Sequence, residues 1–236
     1  MEAIILAGGY GRRLQSVIKD IPKPMAEING RPFLSYLADH LSCQNIRKIL
    51  LSVGYKHEII KNYFGLKYKD LDIEYVIENE PLGTGGAIKK ALRQIVEDNA
   101  VILNGDSFFD LDLQKMLHSH LRQESKLTIA VKPMHRFDRY GTVVLEGNKV
   151  ISFEEKSYRA FGYINCGVYI VAKKIFNTFK QFKDTFSFEN DFLGKNVDII
   201  NPLAFIGDGY FIDIGIPDDY EKAKKDMKNL FKETAT

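Results

Sequence analysis

The residues best equipped for chemistry stand near the start of the chain. Gly8, Gly9 and Gly11 follow the apolar run Ala3-Ile4-Ile5-Leu6, and Arg12, Arg13 and the Lys23 of Pro22-Lys23-Pro24-Met25 come soon after. Glycines let a backbone turn sharply and approach a ligand closely. Bare backbone N–H groups beside fixed positive charge suit a polyphosphate. Arginine offers a planar fork for phosphate oxygens and lysine a movable point charge. Arg12, Arg13 and Lys23 are therefore the candidate groups for gripping a triphosphate. Two related designs are excluded by spacing. The dinucleotide fingerprint wants a third glycine where Leu14 stands, and no G-x-x-x-x-G-K-[ST] string follows the first apolar run.

These groups need a scaffold, and the hydrophobic pattern supplies one. Strands are expected over 4–7, 48–53, 73–77, 100–103 and 127–131, with helices over 32–41, 57–64, 84–96 and 113–121 between them. Such alternation implies an α/β fold with a mostly parallel central sheet flanked by helices. Ligands then gather at the carboxyl ends of the strands, where Gly8, Asn104 and Asp106 fall. The second half reads differently. Segments 142–146 and 149–153 flank Gly147-Asn148, a hairpin signal, and 163–171 is a long run of β-formers. Two more β segments, 203–206 and 210–213, precede a closing helix over 217–231 whose first turn carries Pro217.

Bulk properties narrow the class. With 236 residues and 45% hydrophobic content the chain can bury one sizeable core. A net charge of +2, from 33 basic and 31 acidic side chains, gives no basic excess for nucleic acid. Cys43 and Cys166 are the only cysteines, too few for a disulfide framework or a cysteine-based zinc site. No run approaches membrane-spanning length and the N-terminus lacks the marks of a signal peptide, so a cytoplasmic location is expected.

The string Leu6-Ala7-Gly8-Gly9-Tyr10-Gly11-Arg12-Arg13-Leu14 with the downstream Pro22-Lys23-Pro24-Met25 resembles the signature of the sugar-1-phosphate nucleotidyltransferases. The resemblance continues, in family order, through Glu80-Pro81-Leu82-Gly83-Thr84-Gly85-Gly86-Ala87, Asn104-Gly105-Asp106, Glu154-Glu155-Lys156, Asn165-Cys166-Gly167 and Asp213-Ile214-Gly215-Ile216-Pro217. Within the family the chain looks most like the short guanylyltransferases acting on a heptose 1-phosphate. The resemblance implies a single Rossmann-like domain over 1–236, with 1–135 mainly binding nucleotide and a smaller β-rich part, 136–236, mainly binding sugar phosphate. The hexapeptide repeats that several relatives append are missing, so the chain reads as a catalytic domain alone.

It also implies roles. Arg13 and Lys23 would be the catalytic cations. Leu6, Ala7, Gly8, Gly9, Gly11, Arg12, Glu80, Gly85 and Asn104 would bind nucleotide, with Gly85 and Gly86 letting the backbone come close to it. Asp106 and Asp213 would ligate Mg²⁺, a hard ion often held by one or two carboxylates plus substrate phosphates. The lesser alternative for Asp106 is a turn residue alone, and Asp110 and Asp112 are expected as turn and N-cap residues. Glu80 would face the base. A carboxylate only accepts hydrogen bonds, and guanine offers two adjacent donors where uracil and thymine offer one; Glu78, two residues earlier, is the other candidate for this task. On the sugar side, Glu155 would hold hydroxyls and Lys156 the acceptor phosphate, Gly141 would leave room for the ring, and Asn165 and Gly167 would line the same place. Strand alternation puts Glu154 on the face opposite Glu155. Cys166 reads as a small apolar filler.

The expected reaction passes GMP from GTP to a sugar 1-phosphate, giving a GDP-sugar and pyrophosphate for surface-polysaccharide synthesis. Alternatives are a uridylyl-, thymidylyl- or cytidylyltransferase on another sugar, or a catalytically silent nucleotide-sugar-binding regulatory module. Small molecules are the expected partners, without nucleic acid or membrane; compact members of the family often pair, so a homodimer is allowed.

Overall fold

A computed structural model describes residues 1–11, 14, 17, 18, 20–179 and 182–231. The first half comprises β1 (Glu2–Ala7), β2 (Glu27–Ile28), β3 (Arg31–Pro32), α1 (Phe33–Cys43), β4 (Lys48–Val53), α2 (His57–Phe64), β5 (Lys67–Tyr68), β6 (Leu71–Ile77) and α3 (Gly83–Leu92). Next come β7 (Asn99–Asn104), β8 (Ser107–Phe109), α4 (Leu113–Arg122), β9 (Leu127–Phe137), β10 (Thr142–Glu146), β11 (Lys149–Glu154) and β12 (Arg159–Ala172). The chain closes with α5 (Gly194–Ile200), β13 (Leu203–Ile206), β14 (Phe211–Asp213) and α6 (Pro217–Leu230).

Ten strands form one sheet in the order β10-β11-β13-β9-β12-β7-β1-β4-β6-β5. Strands β6, β4, β1 and β7 run parallel, as the alternation of strand and helix requires. Beyond β7 the sheet becomes mixed. β12 runs antiparallel to both β7 and β9, and the β10–β11 hairpin adds further antiparallel neighbours. The mostly parallel character expected from the alternating first half holds for β6, β4, β1 and β7.

Alternating strand residues feed two cores on opposite faces of the sheet. Ala3, Ile5 and Ala7 of β1 pack with α1, α2 and α6, whereas Ile4 packs with Ile88, Leu92 and a group of phenylalanines. Those phenylalanines come from 176–192. There Phe188–Leu193 forms a π-helix running into α5, and Phe176, Phe186, Phe188 and Phe192 pack edge to face, tilted or stacked.

The sheet forks at β12. Its C-terminal part, Val168 to Ala172, pairs with β7, while Tyr163 and Ile164 pair with β10. β9 runs along the other edge throughout, with a register irregularity between Asn165 and Tyr169. Gly167 sits in this irregularity with φ +69°, a conformation that glycine takes without penalty. The fork opens a gap between β7 and β10, next to the ends of the parallel strands.

Candidate active site

Lys23 is the centre of the site. Pro22 and Pro24 shape a 3-10 turn over Lys23–Met25, in which the Met25 N–H donates to the Pro22 carbonyl at 2.8 Å. The turn buries Lys23 to 7% exposure. Gly11, at φ +60°, lies against it; a Cβ there would come within 2.7 Å of Lys23 Cβ, so the glycine turn and the lysine turn fit only without a side chain. A buried ammonium needs partners. Lys23 Nζ donates to Asp106 Oδ2 at 2.6 Å and lies 3.5 Å from Asp213 Oδ1.

The two aspartates, 107 positions apart, are brought together by a small antiparallel ribbon. β14 pairs with β8 in the register Phe211↔Phe109, Ile212↔Phe108, Asp213↔Ser107, and the Ile214 N–H continues it by donating to the Asp106 carbonyl at 3.0 Å. Burial, with the nearby negative charge of Asp106, raises the Asp213 carboxyl above its ordinary value, and Lys23 works against both. Two hard oxygen donors whose mutual repulsion is relieved by a cation fit a divalent ion that takes its remaining ligands from phosphate and water. Among the described residues no group of three or more His, Cys, Asp or Glu is placed to hold a metal.

Two cavities meet beside this trio. One, of about 420 Å³, is lined by Leu6, Gly8, Gly9, Gly11, Lys23, Glu78, Thr84, Asn104 and Asp106, with Tyr10 and Pro81 also on its wall. Gly83, Thr84 and Ala87 bring the first turn of α3 to it, where the positive end of a helix favours an anion. The second, of about 260 Å³, fills the fork. It is lined by Asn104 and Ser107 on one side, Gly141 and Thr142 on another, and Glu154, Lys156, Asn165, Gly167, Tyr169 and Glu189 around the rest, with Asp213 at the junction. A concave site split into two compartments around a cation and two carboxylates can hold two polyanionic substrates end to end.

The family comparison agrees with this geometry. Residues 2–229 match the nucleotidyl transferase family. The chain belongs to that family. It is 53% identical over 229 residues to the D-glycero-alpha-D-manno-heptose 1-phosphate guanylyltransferase of Aneurinibacillus thermoaerophilus, covering 97% of this chain and 99% of the relative. Identity to the enzyme of the same name from Campylobacter jejuni is 52% over 221 residues, covering 93% and 97%. Among solved structures, HddC from Yersinia pseudotuberculosis, free and complexed with GMP-PN, superposes with a TM-score of 0.85 at 41% identity, over 96% of this chain and 99% of that one.

Against this nucleotidyl transferase frame, several residues stand away from their expected places. Arg12 and Arg13 lie outside the described residues. Ala7 is buried in the core beneath the glycine turn. Gly85 and Gly86 do not face the larger cavity. A Cβ on Gly85 would meet the Phe186 ring at 2.2 Å, and one on Gly86 the Asp184 carbonyl oxygen at 2.0 Å. These glycines admit the loop before the π-helix, not a ligand. Glu80 is exposed outside the lining, whereas Glu78 faces the cavity, accepting from the Ser52 hydroxyl at 2.9 Å and from the Leu82 N–H at 3.3 Å.

The Glu154-Glu155 assignment is likewise exchanged. β11 ends at Glu154, so strand alternation does not carry on to Glu155, which is exposed. Glu154 lines the smaller cavity and pairs with Arg159. Lys156, Gly141, Asn165 and Gly167 line that cavity as well, and Asp112 caps α4 by accepting from the Lys115 N–H at 2.9 Å. Burial pushes the Cys166 thiol well above its usual range, so the nucleophilic thiolate is suppressed.

Sequence reading missed Glu189. Its Oε2 accepts from the Thr84 hydroxyl at 2.7 Å, its Oε1 accepts from the Tyr169 hydroxyl at 3.2 Å, and Tyr169 in turn accepts from Asn165 Nδ2 at 2.8 Å. This chain of bonds ties the start of α3 to the fork. Nothing in the sequence couples positions 84, 169 and 189, because each is drawn from a different element.

Proposed function

We propose that this protein is a Mg²⁺-dependent guanylyltransferase acting in the cytoplasm. It moves GMP from GTP to D-glycero-alpha-D-manno-heptose 1-phosphate and releases pyrophosphate. The observation that carries the reaction class is the meeting of Lys23, Asp106 and Asp213 at the seam of two cavities. The identity of base and sugar draws on the heptose 1-phosphate guanylyltransferases described above.

In this reading a phosphate oxygen of the sugar 1-phosphate attacks the α-phosphorus of GTP. The new P–O bond forms as the bond to the β-phosphate oxygen breaks, and that electron pair leaves on pyrophosphate. The nucleophile is anionic at neutral pH, so no general base is needed, and catalysis reduces to alignment and charge stabilisation. The glycine turn, the α3 terminus and Lys23 hold the triphosphate in the larger cavity, in the nucleotide half, 1–135. Lys156 holds the acceptor phosphate at the mouth of the smaller one, in 136–236. Asp106 and Asp213 would hold Mg²⁺, which supplies charge to the α-phosphate and the departing pyrophosphate.

Glu80 is proposed to read guanine through its paired donors. Glu78 is the second reading, favoured by its place on the cavity wall, although its oxygens already serve Ser52 and Leu82. Steady-state rates with each common nucleoside triphosphate and a panel of sugar 1-phosphates, read as pyrophosphate release, test the assignment. GTP with the heptose phosphate is expected to give the highest kcat/KM; absence of turnover with every pair points to the silent regulatory module. Glu80→Gln is expected to relax the preference for GTP over UTP and TTP about tenfold, consistent with loss of one paired contact. If Glu78→Gln does so instead, the base is read from there.

A further inference from the structure

The polar side chains around the smaller cavity fall into two groups. Most satisfy one another. Asn165 donates to Tyr169 and accepts from the Gly167 N–H at 3.0 Å, Tyr169 donates to Glu189, and Glu189 accepts from Thr84. Two atoms of side chains that line the cavity do not join this web. Thr142 Oγ1 and Asn104 Oδ1 are buried with no hydrogen-bond partner among the described residues. Leaving a buried polar atom unpaired is costly, and such atoms are uncommon in folded chains.

Both side chains are held in place by glycines. Thr142 is 7% exposed at the start of β10, opposite Ile164 of β12 and Glu154 of β11. Its methyl group packs over Gly162, where a Cβ would come within 3.2 Å of Thr142 Cγ2. A β-branched side chain fixed by its methyl has its hydroxyl direction fixed too. Asn104 packs its amide nitrogen over Gly167, 2.5 Å from where a Cβ would stand. A hydroxyl and a carbonyl, buried and unpaired in two side chains that line the same cavity, match a ligand that both donates and accepts hydrogen bonds.

We propose that Thr142 reads a hydroxyl of the sugar 1-phosphate, completing its hydrogen bonding when the sugar is seated, with Asn104 Oδ1 as a second acceptor lining the same cavity. The inference rests on the functional reading above and names the residue that selects the sugar.

The test uses the full-length enzyme with GTP, Mg²⁺ and the sugar 1-phosphate that wild type turns over best. Thr142→Val keeps shape and removes the hydroxyl. It is expected to raise KM for the sugar 1-phosphate about fivefold to tenfold, the weight of one hydrogen bond, and to leave KM for GTP unchanged. Thr142→Ser is expected to restore the sugar KM to within about twofold of wild type. Without ligands, Thr142→Val is expected to melt no lower than wild type, because an unpaired hydroxyl has been deleted. An unchanged sugar KM in Thr142→Val overturns the proposal. So does a Ser variant as impaired as Val, or a free Val variant that melts well below wild type, since the group would then serve packing or the fold. Turnover with no sugar 1-phosphate at all overturns the functional reading and this inference together. Preference for another sugar, with the Thr142 pattern intact, corrects the reading and supports the inference.

Discussion

The larger cavity is walled by runs of neighbouring residues at the ends of parallel strands: the glycine turn after β1, Asn104 and Asp106 after β7, and the loop from β6 into α3. The smaller cavity has no such local origin. It exists because β12 pairs with β7 along one part of its length and with β10 along another, leaving a gap that residues from 104 to 213 line. The first region is a chain of local motifs, and the second is a consequence of strand pairing. Local motifs tolerate distant change. A fork depends on every strand that defines it, so substitutions there are expected to alter selectivity before they alter the fold.

Asp106 on the larger cavity and Asp213 on the smaller, the pair proposed to hold the metal, carry the largest expected effect. Asp106→Ala or Asp213→Ala is expected to lower kcat by about a thousandfold or more, matching several kcal/mol of lost charge stabilisation. Circular dichroism should remain near wild type, while Asp106→Ala should also melt lower because buried Lys23 loses its nearest partner. Magnesium-dependent turnover surviving in both variants would remove the shared centre and separate the two cavities functionally.

The end of β7 away from the cavities is sensitive to acid. His120, on α4, is 1% exposed and is bonded to Thr128 of β9 at 2.8 Å and to Asn99 of β7 at 3.1 Å. Burial lowers its pKa from 6.5 to about 4. The unfolded chain thus binds a proton between these values that the folded chain refuses, and stability is full above about pH 6.5 and declines as pH falls toward 4. The contribution is about 3 kcal/mol. Urea unfolding across this window, compared with His120→Gln, should show the steeper acid loss in wild type.

Gly86→Ala sharpens the boundary of the nucleotide region. The added methyl would strike the Asp184 carbonyl, a backbone atom, and overpacking of this kind costs about 2 kcal/mol. A fall in Tm of roughly 4–8 °C follows for a chain of this size. KM for GTP should change little; a large rise in that KM with an unaltered Tm would return the glycines to the nucleotide.

The smallest effect separates two adjacent carboxylates. Glu154→Gln is expected to raise the sugar 1-phosphate KM about tenfold, the size of one charge-assisted hydrogen bond. Glu155→Gln should leave it within about twofold. The reverse order would mean that the loop after β11 folds back over the cavity when substrate binds.

How legible these features were depended on how far apart their parts lie. The strands β4 and β10 and the helix α2 begin and end where the hydrophobic pattern places them, because each pattern is read over a few consecutive residues. The turn holding Lys23 is equally local, with two prolines setting its shape. The π-helix at Phe188–Leu193 went unread because a single i, i+4 pair, Phe188 and Phe192, is too short to read as a period, and its rings are ordered by packing in the core. The place of Glu155 was misread for a related reason: where a strand stops is decided by its neighbours.

Residue types and their spacing alone established a glycine turn with a lysine beside it, alternating strands and helices, and a β-rich second half. Each follows from backbone freedom, charge or periodicity within a short window. Tertiary structure decided which carboxylates meet, through the β8–β14 register. It placed Glu78 and Glu154 on the cavity walls instead of Glu80 and Glu155, and it left Thr142 and Asn104 buried with hydrogen bonds to give. Those outcomes depend on contacts between residues tens of positions apart, where no window of sequence reaches and the pairing of strands supplies the missing information.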